Sequence, residues 1–291
     1  MTAEKREGIC DLHTHSIYSD GTCTPTEIID NAIKIGLSAV ALTDHNTVDG
    51  LPDFIAASRG KNIEIVPGAE FSADYHGTEL HILGLFITPE HFGDVSELMS
   101  SVNARKEESN IALVRSLNRA GFVLDYDEIK AATPNGKINR AHIAAAMVDK
   151  GYISSIKEGF ETLLSKSSGH YIEPERLTAT EIVGFINSIG AVSVLAHPFL
   201  NLNEQGIIEF LSTTKGLSAM ECYYSTYDED MTNTSIRIAN RFGLICCGGS
   251  DFHGSTKPDI KLGVGGGSLR VPFECYMALK AKFNNEKQVK F

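Results

Sequence analysis

Seven short apolar runs, at residues 9–12, 39–42, 63–66, 80–86, 192–196, 219–223 and 244–247, alternate along this 291-residue chain with stretches of helical periodicity. Apolar runs of this length, without polar alternation, suit parallel strands buried on both faces beneath covering helices. The segments between them carry legible helix starts. Thr24-Pro25-Thr26-Glu27 joins a threonine cap to a proline at the first helical position and a glutamate three residues past the cap. Thr178-Ala179-Thr180-Glu181 repeats that box, and Gly36, Gly190 and Gly243 stand where helices should end. The pattern predicts an α/β chain whose strands fall one short of a full (β/α)8 barrel.

The rhythm breaks between about residues 94 and 168, where Leu98, Val102, Ile111, Leu117, Ile129, Ile143, Met147 and Phe160 recur at helical spacing with no strand-like run among them. We therefore expect a barrel domain at residues 1–101 and 167–291 and a small helical insertion at residues 102–166, acting as a lid or substrate domain. With no Pro/Ser-rich linker in sight, the insertion should pack on the barrel. Hydrophobic residues make up 42% of the chain, enough for a core of this kind.

The formal net charge of −11 disfavours a long basic groove for extended nucleic acid, but it leaves room for a small anion held by metal ions. Residues 1–7 are charged and lack a signal-like apolar stretch, and no run approaches the length of a membrane span, so a cytoplasmic protein is expected. Six cysteines without C-x-x-C spacing point to reduced thiols, with Cys222, Cys246 and Cys247 as core filler.

The chemistry gathers where the runs end. Asp11-Leu12-His13-Thr14-His15 closes the first, and residues two apart on a strand face the same way, so His13 and His15 can share one ion. Asp251-Phe252-His253 repeats the spacing after the last run, and barrel closure would make the two pairs neighbours. Asp44-His45, Glu70 and His197 follow other runs, while His81 sits inside one. Functional side chains of barrels collect at the C-terminal face, where strands hand over to loops. Each histidine alone reads as an ordinary hydrogen-bonded residue. Together, His13, His15, Asp20, His45, Glu70, His81, His197, Asp251 and His253 would need nine unrelated explanations. His76, His91 and His170 read as solvated loop residues.

Imidazoles and carboxylates without thiolate suit manganese, zinc or iron, and nine candidates exceed what one ion needs, so two or three divalent ions are expected. Glu70 is the natural bridge, since each carboxylate oxygen can take a different ion. Closely spaced ions favour in-line attack on phosphorus by an activated hydroxide.

These residues resemble the PHP (polymerase and histidinol phosphatase) family. The resemblance rests on Asp11-Leu12-His13-Thr14-His15-Ser16, Tyr18-Ser19-Asp20-Gly21, Thr43-Asp44-His45, Pro67-Gly68-Ala69-Glu70, His81, Ala196-His197-Pro198 and Gly249-Ser250-Asp251-Phe252-His253-Gly254. It implies a distorted seven-stranded barrel, TIM-like and related to the amidohydrolases, with a three-ion site. One ion would be held by His13, His15, Glu70 and Asp251, a second by Glu70, His81 and His197, and a third by Asp20, His45 and His253. Asp20 stands where some relatives carry histidine, an oxygen donor that would weaken the third site or shift it toward manganese or magnesium. The insertion resembles that of relatives acting on nucleotide 3′,5′-bisphosphates, short RNA ends or cyclic phosphodiesters, with Asn139-Arg140-Ala141-His142-Ile143-Ala144 as its marker.

The resemblance implies a phosphoesterase acting on a small phosphorylated metabolite or nucleotide. Arg140 is the first choice for gripping phosphate, because a guanidinium can do so bidentately. His142 and Arg105 follow, while Lys106 reads as part of a solvated helix face, and Tyr224 and Ser225, after the sixth run, read equally as pocket lining or as polar loop. Asp251, His197 and His253 are the candidates for catalysis, the histidines as proton donors only where an ion does not occupy them. Three alternatives stay open: an exonuclease on short RNA or DNA ends, a C–N hydrolase of the amidohydrolase kind, and a non-catalytic metal-binding module.

Overall fold

The computed structural model describes residues 8–133, 136 and 138–289; the charged residues 1–7 lie outside them. Strands β1 (Ile9–Asp11), β2 (Ala39–Leu42), β3 (Glu64–Tyr75), β4 (Thr78–Leu85), β5 (Val192–Leu195), β6 (Ala219–Tyr224) and β7 (Ile245–Gly249) take up the seven apolar runs. A two-residue β8 (Val271–Pro272) extends the sheet, whose order is β7-β6-β5-β4-β3-β2-β1-β8. β8 pairs antiparallel with Ile9 and Cys10, and beyond it the chain after β1 meets the end of β7 directly. Leu12 N donates to Gly248 O at 3.2 Å, Asp251 N to His13 O at 2.9 Å and His15 N to Phe252 O at 2.9 Å, so the ring of strands nearly closes. Gly249 makes this seam possible, since a Cβ there would lie 2.4 Å from His13 Cβ.

One strand departs from the expected parallel array. β4 runs antiparallel to both β3 and β5. β3 continues through Pro67 for 12 residues and turns back at His76 and Gly77, whose φ values of 51° and 80° give the tight two-residue hairpin. Proline normally ends or demotes a strand, and it hides this continuation in the sequence. The consequence for function is direct. Because β4 runs downward, its first residues stand at the C-terminal rim of the barrel, and His81 reaches the site from inside a strand.

β4 ends at the opposite, lower end, and α3 (Phe92–Arg119) climbs back. Its 28 residues span about 42 Å. Val95, Met99 and Val102 pack into the layer around the barrel, while Leu113, Val114 and Leu117 join a separate cluster with Ile129, Ile143, Met147 and Leu164. Helices α4 (Tyr126–Ala132), α5 (Arg140–Asp149) and α6 (Ile156–Glu161) build the rest of that cluster. No strand falls among the described residues between β4 and β5.

Along β2 the pleat sorts side chains by layer: Ala39 and Ala41 face the barrel interior, Val40 and Leu42 the surrounding helices. Those helices are α1 (Pro25–Lys34), α2 (Leu51–Ser58), α7 (Ala179–Ser188), α8 (Glu204–Thr213) and α9 (Glu229–Phe242). α1 shows why: Ile28, Ile29 and Ala32 recur at helical spacing and are fully buried. Both predicted capping boxes form, at Thr24/Glu27 and Thr178/Glu181. α10 (Phe273–Val289) closes the lower end of the barrel with Phe273, Tyr276 and Leu279.

Candidate metal centre

All nine predicted ligands meet at the C-terminal rim, and Glu70 is their centre. Its Oε2 lies 3.3 Å from His13 Nε2, 3.2 Å from His15 Nε2 and 3.0 Å from His45 Nδ1. Its Oε1 lies 2.7 Å from His81 Nδ1 and 3.0 Å from His197 Nε2. Asp251 Oδ1 adds contacts of 3.2 Å to His15 Nε2 and 3.6 Å to His13 Nε2. On the far side of His15, His253 Nε2 lies 3.1 Å and His45 Nε2 3.8 Å from the two oxygens of Asp20.

Three groups have donor atoms close enough to share an ion: His13, His15, Glu70 and Asp251; His15, Asp20, His45 and His253; and His45, Glu70 and His81. Two of the three sets expected from the resemblance thus recur, the second joined by His15. In the remaining set His45 stands beside His81 where His197 was expected, although His197 faces the same Glu70 oxygen.

The atoms themselves test whether cations fit. Glu70 Oε2 and His81 Nδ1 are buried without a hydrogen-bond partner, although imidazole nitrogens or carboxylate oxygens surround both. His13 Nε2 and His15 Nε2 face one another at 3.1 Å. Buried polar atoms are rarely left unsatisfied, and lone pairs converging on one point are what a cation satisfies.

Surrounding groups fix which nitrogen each ring presents. His13 Nδ1 lies 3.0 Å from Glu221 Oε1, and His253 Nδ1 donates to the Asp251 carbonyl at 2.8 Å, which leaves both Nε2 lone pairs facing the cluster. Glu221 Oε2 also accepts from the backbone N–H of His197 at 2.7 Å, so one buried carboxylate steadies two candidate ligands. Asp251 Oδ2 accepts from Tyr224 at 2.8 Å and from Lys257 at 2.6 Å, so Oδ1 alone is turned to the cluster. Asp11 accepts backbone N–H groups of Ser250 and Gly263, each at 2.8 Å, and Asp44 holds Ser16 and Ser19. Three rim residues, Asn46, His197 and Asp251, have positive φ, a cost of about 1–3 kcal/mol for a non-glycine residue that recurs at functional sites.

Electrostatics follow this geometry. Burial opposes ionisation of Glu70, yet His45, His81 and His13 hold its carboxyl well below the usual range. Asp20 is lowered against its burial by His253 and His45, and Asp251 by Lys257 and His253. The reverse holds for the rings: against burial, Asp251 and Glu70 push His15 up to about 9, and Glu70 and Glu79 push His81 up to about 10. In His45 burial wins, and its pKa falls. The acids stay ionised, and His15 and His81 hold protons where a cation would sit.

A cavity of about 640 Å³ opens from the cluster between the β3–β4 hairpin and the insertion, bordered by Asp20, His45 and His81 below and by Lys106, Arg140 and Tyr171 above. Arg140 sits 4.2 Å from the Tyr171 ring centre and 5.1 Å from that of Phe160, with one N–H on Leu164 O at 3.2 Å. Lys106 lines the cavity and, among the described residues, has no ion-pair or hydrogen-bond partner; burial lowers its pKa. His142 completes the cap of α5, its Nδ1 accepting from Asn139 N at 3.1 Å, and does not line the cavity. Arg105 points elsewhere, its guanidinium 3.0 Å from Glu175 at the surface.

Sequence reasoning missed several members. Asn139 both caps α5 and donates to Asp20 Oδ2 at 2.8 Å, tying the insertion to the cluster. Glu221, a single carboxylate within an apolar strand, was visible as a buried charge in need of a partner. Lys106 and Lys257 carried no such signal.

Barrel and cluster together define a class: a metal-centre barrel protein whose nearest chemistry is ester or amide hydrolysis. Comparison with known proteins narrows it. The PHP domain matches residues 11–254, and the chain belongs to that family. A 5′-3′ exoribonuclease of Haemophilus influenzae is 30% identical over 249 residues, covering 84% of this chain and 89% of that one. A 3′,5′-nucleoside bisphosphate phosphatase of Chromobacterium violaceum is 31% identical, covering 84% of this chain and 86% of its own. A Bifidobacterium adolescentis crystal structure, assigned as a metal-dependent phosphoesterase, superposes with a TM-score of 0.83 at 26% identity, covering 94% and 96% of the two chains. Among the described residues no helix is long and apolar enough to cross a membrane.

Proposed function

We propose that the protein is a metal-dependent phosphoesterase that hydrolyses small phosphorylated substrates of the nucleotide kind; His13, His15, Glu70, His81, His197 and Asp251 would hold two divalent ions, and Asp20, His45 and His253 a third. The observation that carries this reading is the pairing of the carboxylate–imidazole cluster with two cations, Arg140 and Lys106, that face the same cavity without a carboxylate partner among the described residues. A C–N hydrolase has no evident use for them. The relatives' names point the same way, one acting on bisphosphates and one on RNA ends.

Bound divalent ions would supply a water made acidic enough to attack phosphorus and would offset charge on the phosphoryl oxygens. The chain's own residues do the rest. Arg140, fixed between two aromatic rings, turns its remaining N–H groups toward the substrate phosphate. Lys106 adds a second positive charge at the mouth. Glu221, Tyr224 and Lys257 hold His13, His197 and Asp251 in place, so the cluster need not reorganise as charge develops. Helices 102–166 roof the cavity as a substrate domain. His253 and His197 present single Nε2 atoms already committed to the cluster, which favours their service as ligands.

The reading is tested by metal-reconstituted turnover of phosphomonoesters, nucleoside bisphosphates, cyclic diesters and an amide panel. Phosphate or nucleotide release is expected, and Arg140→Ala should raise KM by roughly tenfold or more, the loss of charged hydrogen bonds. Amide cleavage with inert phosphate esters, or an Arg140→Ala enzyme indistinguishable from wild type, would overturn it.

A further inference from the structure

The side chain of Asn139 has partners in two different parts of the molecule. Its Oδ1 accepts from the backbone N–H of His142 at 3.1 Å, which caps α5, while its Nδ2 donates to Asp20 Oδ2 at 2.8 Å. Both bonds require the same orientation of the amide. Turned over, it would set its NH2 group against an N–H and its carbonyl oxygen against a carboxylate. His142 Nδ1 in turn accepts from Asn139 N, so the first turn of α5, Arg140 included, follows whatever orients Asn139.

Asp20 is divided in the same way. Its Oδ1 lies 3.1 Å from His253 Nε2, within the group that includes His15 and His45. Its Oδ2 carries the bond to Asn139, with His45 Nε2 at 3.8 Å. A carboxylate is flat and turns as a unit, so an ion that draws in Oδ1 also sets where Oδ2 points. α5 packs on α4 and α6 through Ile143, Ala144 and Met147, and α3 holds the residue before its cap, Asn110 donating to Ile138 O at 2.9 Å. The bond to Asp20 is what relates the start of α5 to the cluster, and Arg140 is the next residue along, facing the cavity above it.

We propose that Asn139 is a positioning residue through which an ion held by Asp20, His45 and His253 and an anion held by Arg140 tighten each other's binding. This rests on the metal-centre reading above. Such coupling is reciprocal, so it can be read from the anion's side. Direct attraction between the anion and the ions is a separate contribution, which does not pass through Asn139 and survives its replacement.

Asn139→Ser separates the two roles, because serine is a good helix cap and its shorter side chain does not reach Asp20. Sulfate, a tetrahedral anion that is not consumed, serves as the probe. Its binding to the full-length protein is followed by calorimetry without metal and with manganese at a level that saturates both proteins. The gain in sulfate affinity that manganese brings should be at least about fivefold smaller in Asn139→Ser than in wild type. In an Arg140→Ala background the serine substitution should have no further effect on that gain. Manganese should also slow hydrogen exchange at backbone amides 142–144 in wild type and leave it unchanged in Asn139→Ser, whereas loss of a purely structural bond would alter exchange alike with and without metal. Asn139→Thr repeats the test should the first variant fail to fold. An equal manganese gain in the two proteins, exchange in wild-type α5 indifferent to manganese, or a serine effect undiminished in Arg140→Ala would overturn the proposal. A wild type that binds no manganese would instead remove the metal-centre reading beneath it.

Discussion

The two ends of this barrel are made from the same strands and could hardly differ more. At the lower end Ala39, Val66, Leu85, Val192 and Ala219 fill the interior, and α10 seals it with Tyr276 and Leu279. At the upper end, a few residues further along the strands that run parallel, the interior is occupied by His13, His15, Glu70, His197, Glu221 and Asp251, nearly all inaccessible to water. Burying so many ionisable groups is unfavourable unless they are paired or bind metal. The apolar end supplies the rigidity, and the polar end uses it to hold like-charged groups and strained backbone together.

Variants at either end sharpen that contrast. The largest stability effect belongs to the lower end. Leu279→Ala should cost about 2–5 kcal/mol in chemical denaturation, with bound-metal content of the folded fraction unchanged. Glu221→Gln sits between the two regimes. Its loss should weaken metal affinity roughly 10- to 100-fold, read by competition with a chelating dye, while unfolding midpoints of the metal-free protein move little. A large shift in those midpoints would make Glu221 a core residue first.

The smallest effect lies outside both ends. Thr178→Ala should cost about 1 kcal/mol by removing the cap of α7, with no change in metal content. Thr178 holds the Glu181 carboxyl below its usual range through its backbone N–H and hydroxyl. That contribution is present above the ordinary glutamate pKa of about 4.3 and disappears as pH falls through the lower folded value, so the wild-type advantage should shrink in acid.

Most residues of the cluster were legible because they follow the stop of an apolar run, His81 excepted, and because two doublets at i, i+2 spacing call for a joint explanation. The direction of β4 was not, since a strand buried on both faces reads the same whichever way it runs, and Pro67 masks the hairpin that reverses it. β8 was too short to register, and α10 carries little amphipathic pattern along its length. At the cavity the sequence favoured the wrong neighbour of a pair. Arg105 and Lys106 are adjacent on α3, successive residues of a helix face about 100° apart, and it is Lys106 that turns inward while Arg105 meets Glu175. Tyr224 read equally as pocket lining or loop because its partner, Asp251, is 27 residues away in the chain.

Glu70, at the middle of the cluster, would hold more than one ion, and metal stoichiometry measured alongside phosphate release in wild type and Glu70→Gln tests that role. At least two divalent ions per wild-type chain are expected, at most one in Glu70→Gln, with loss of metal-dependent phosphate release in that variant. Equal stoichiometry in the two proteins, with phosphate release intact in Glu70→Gln, would contradict it.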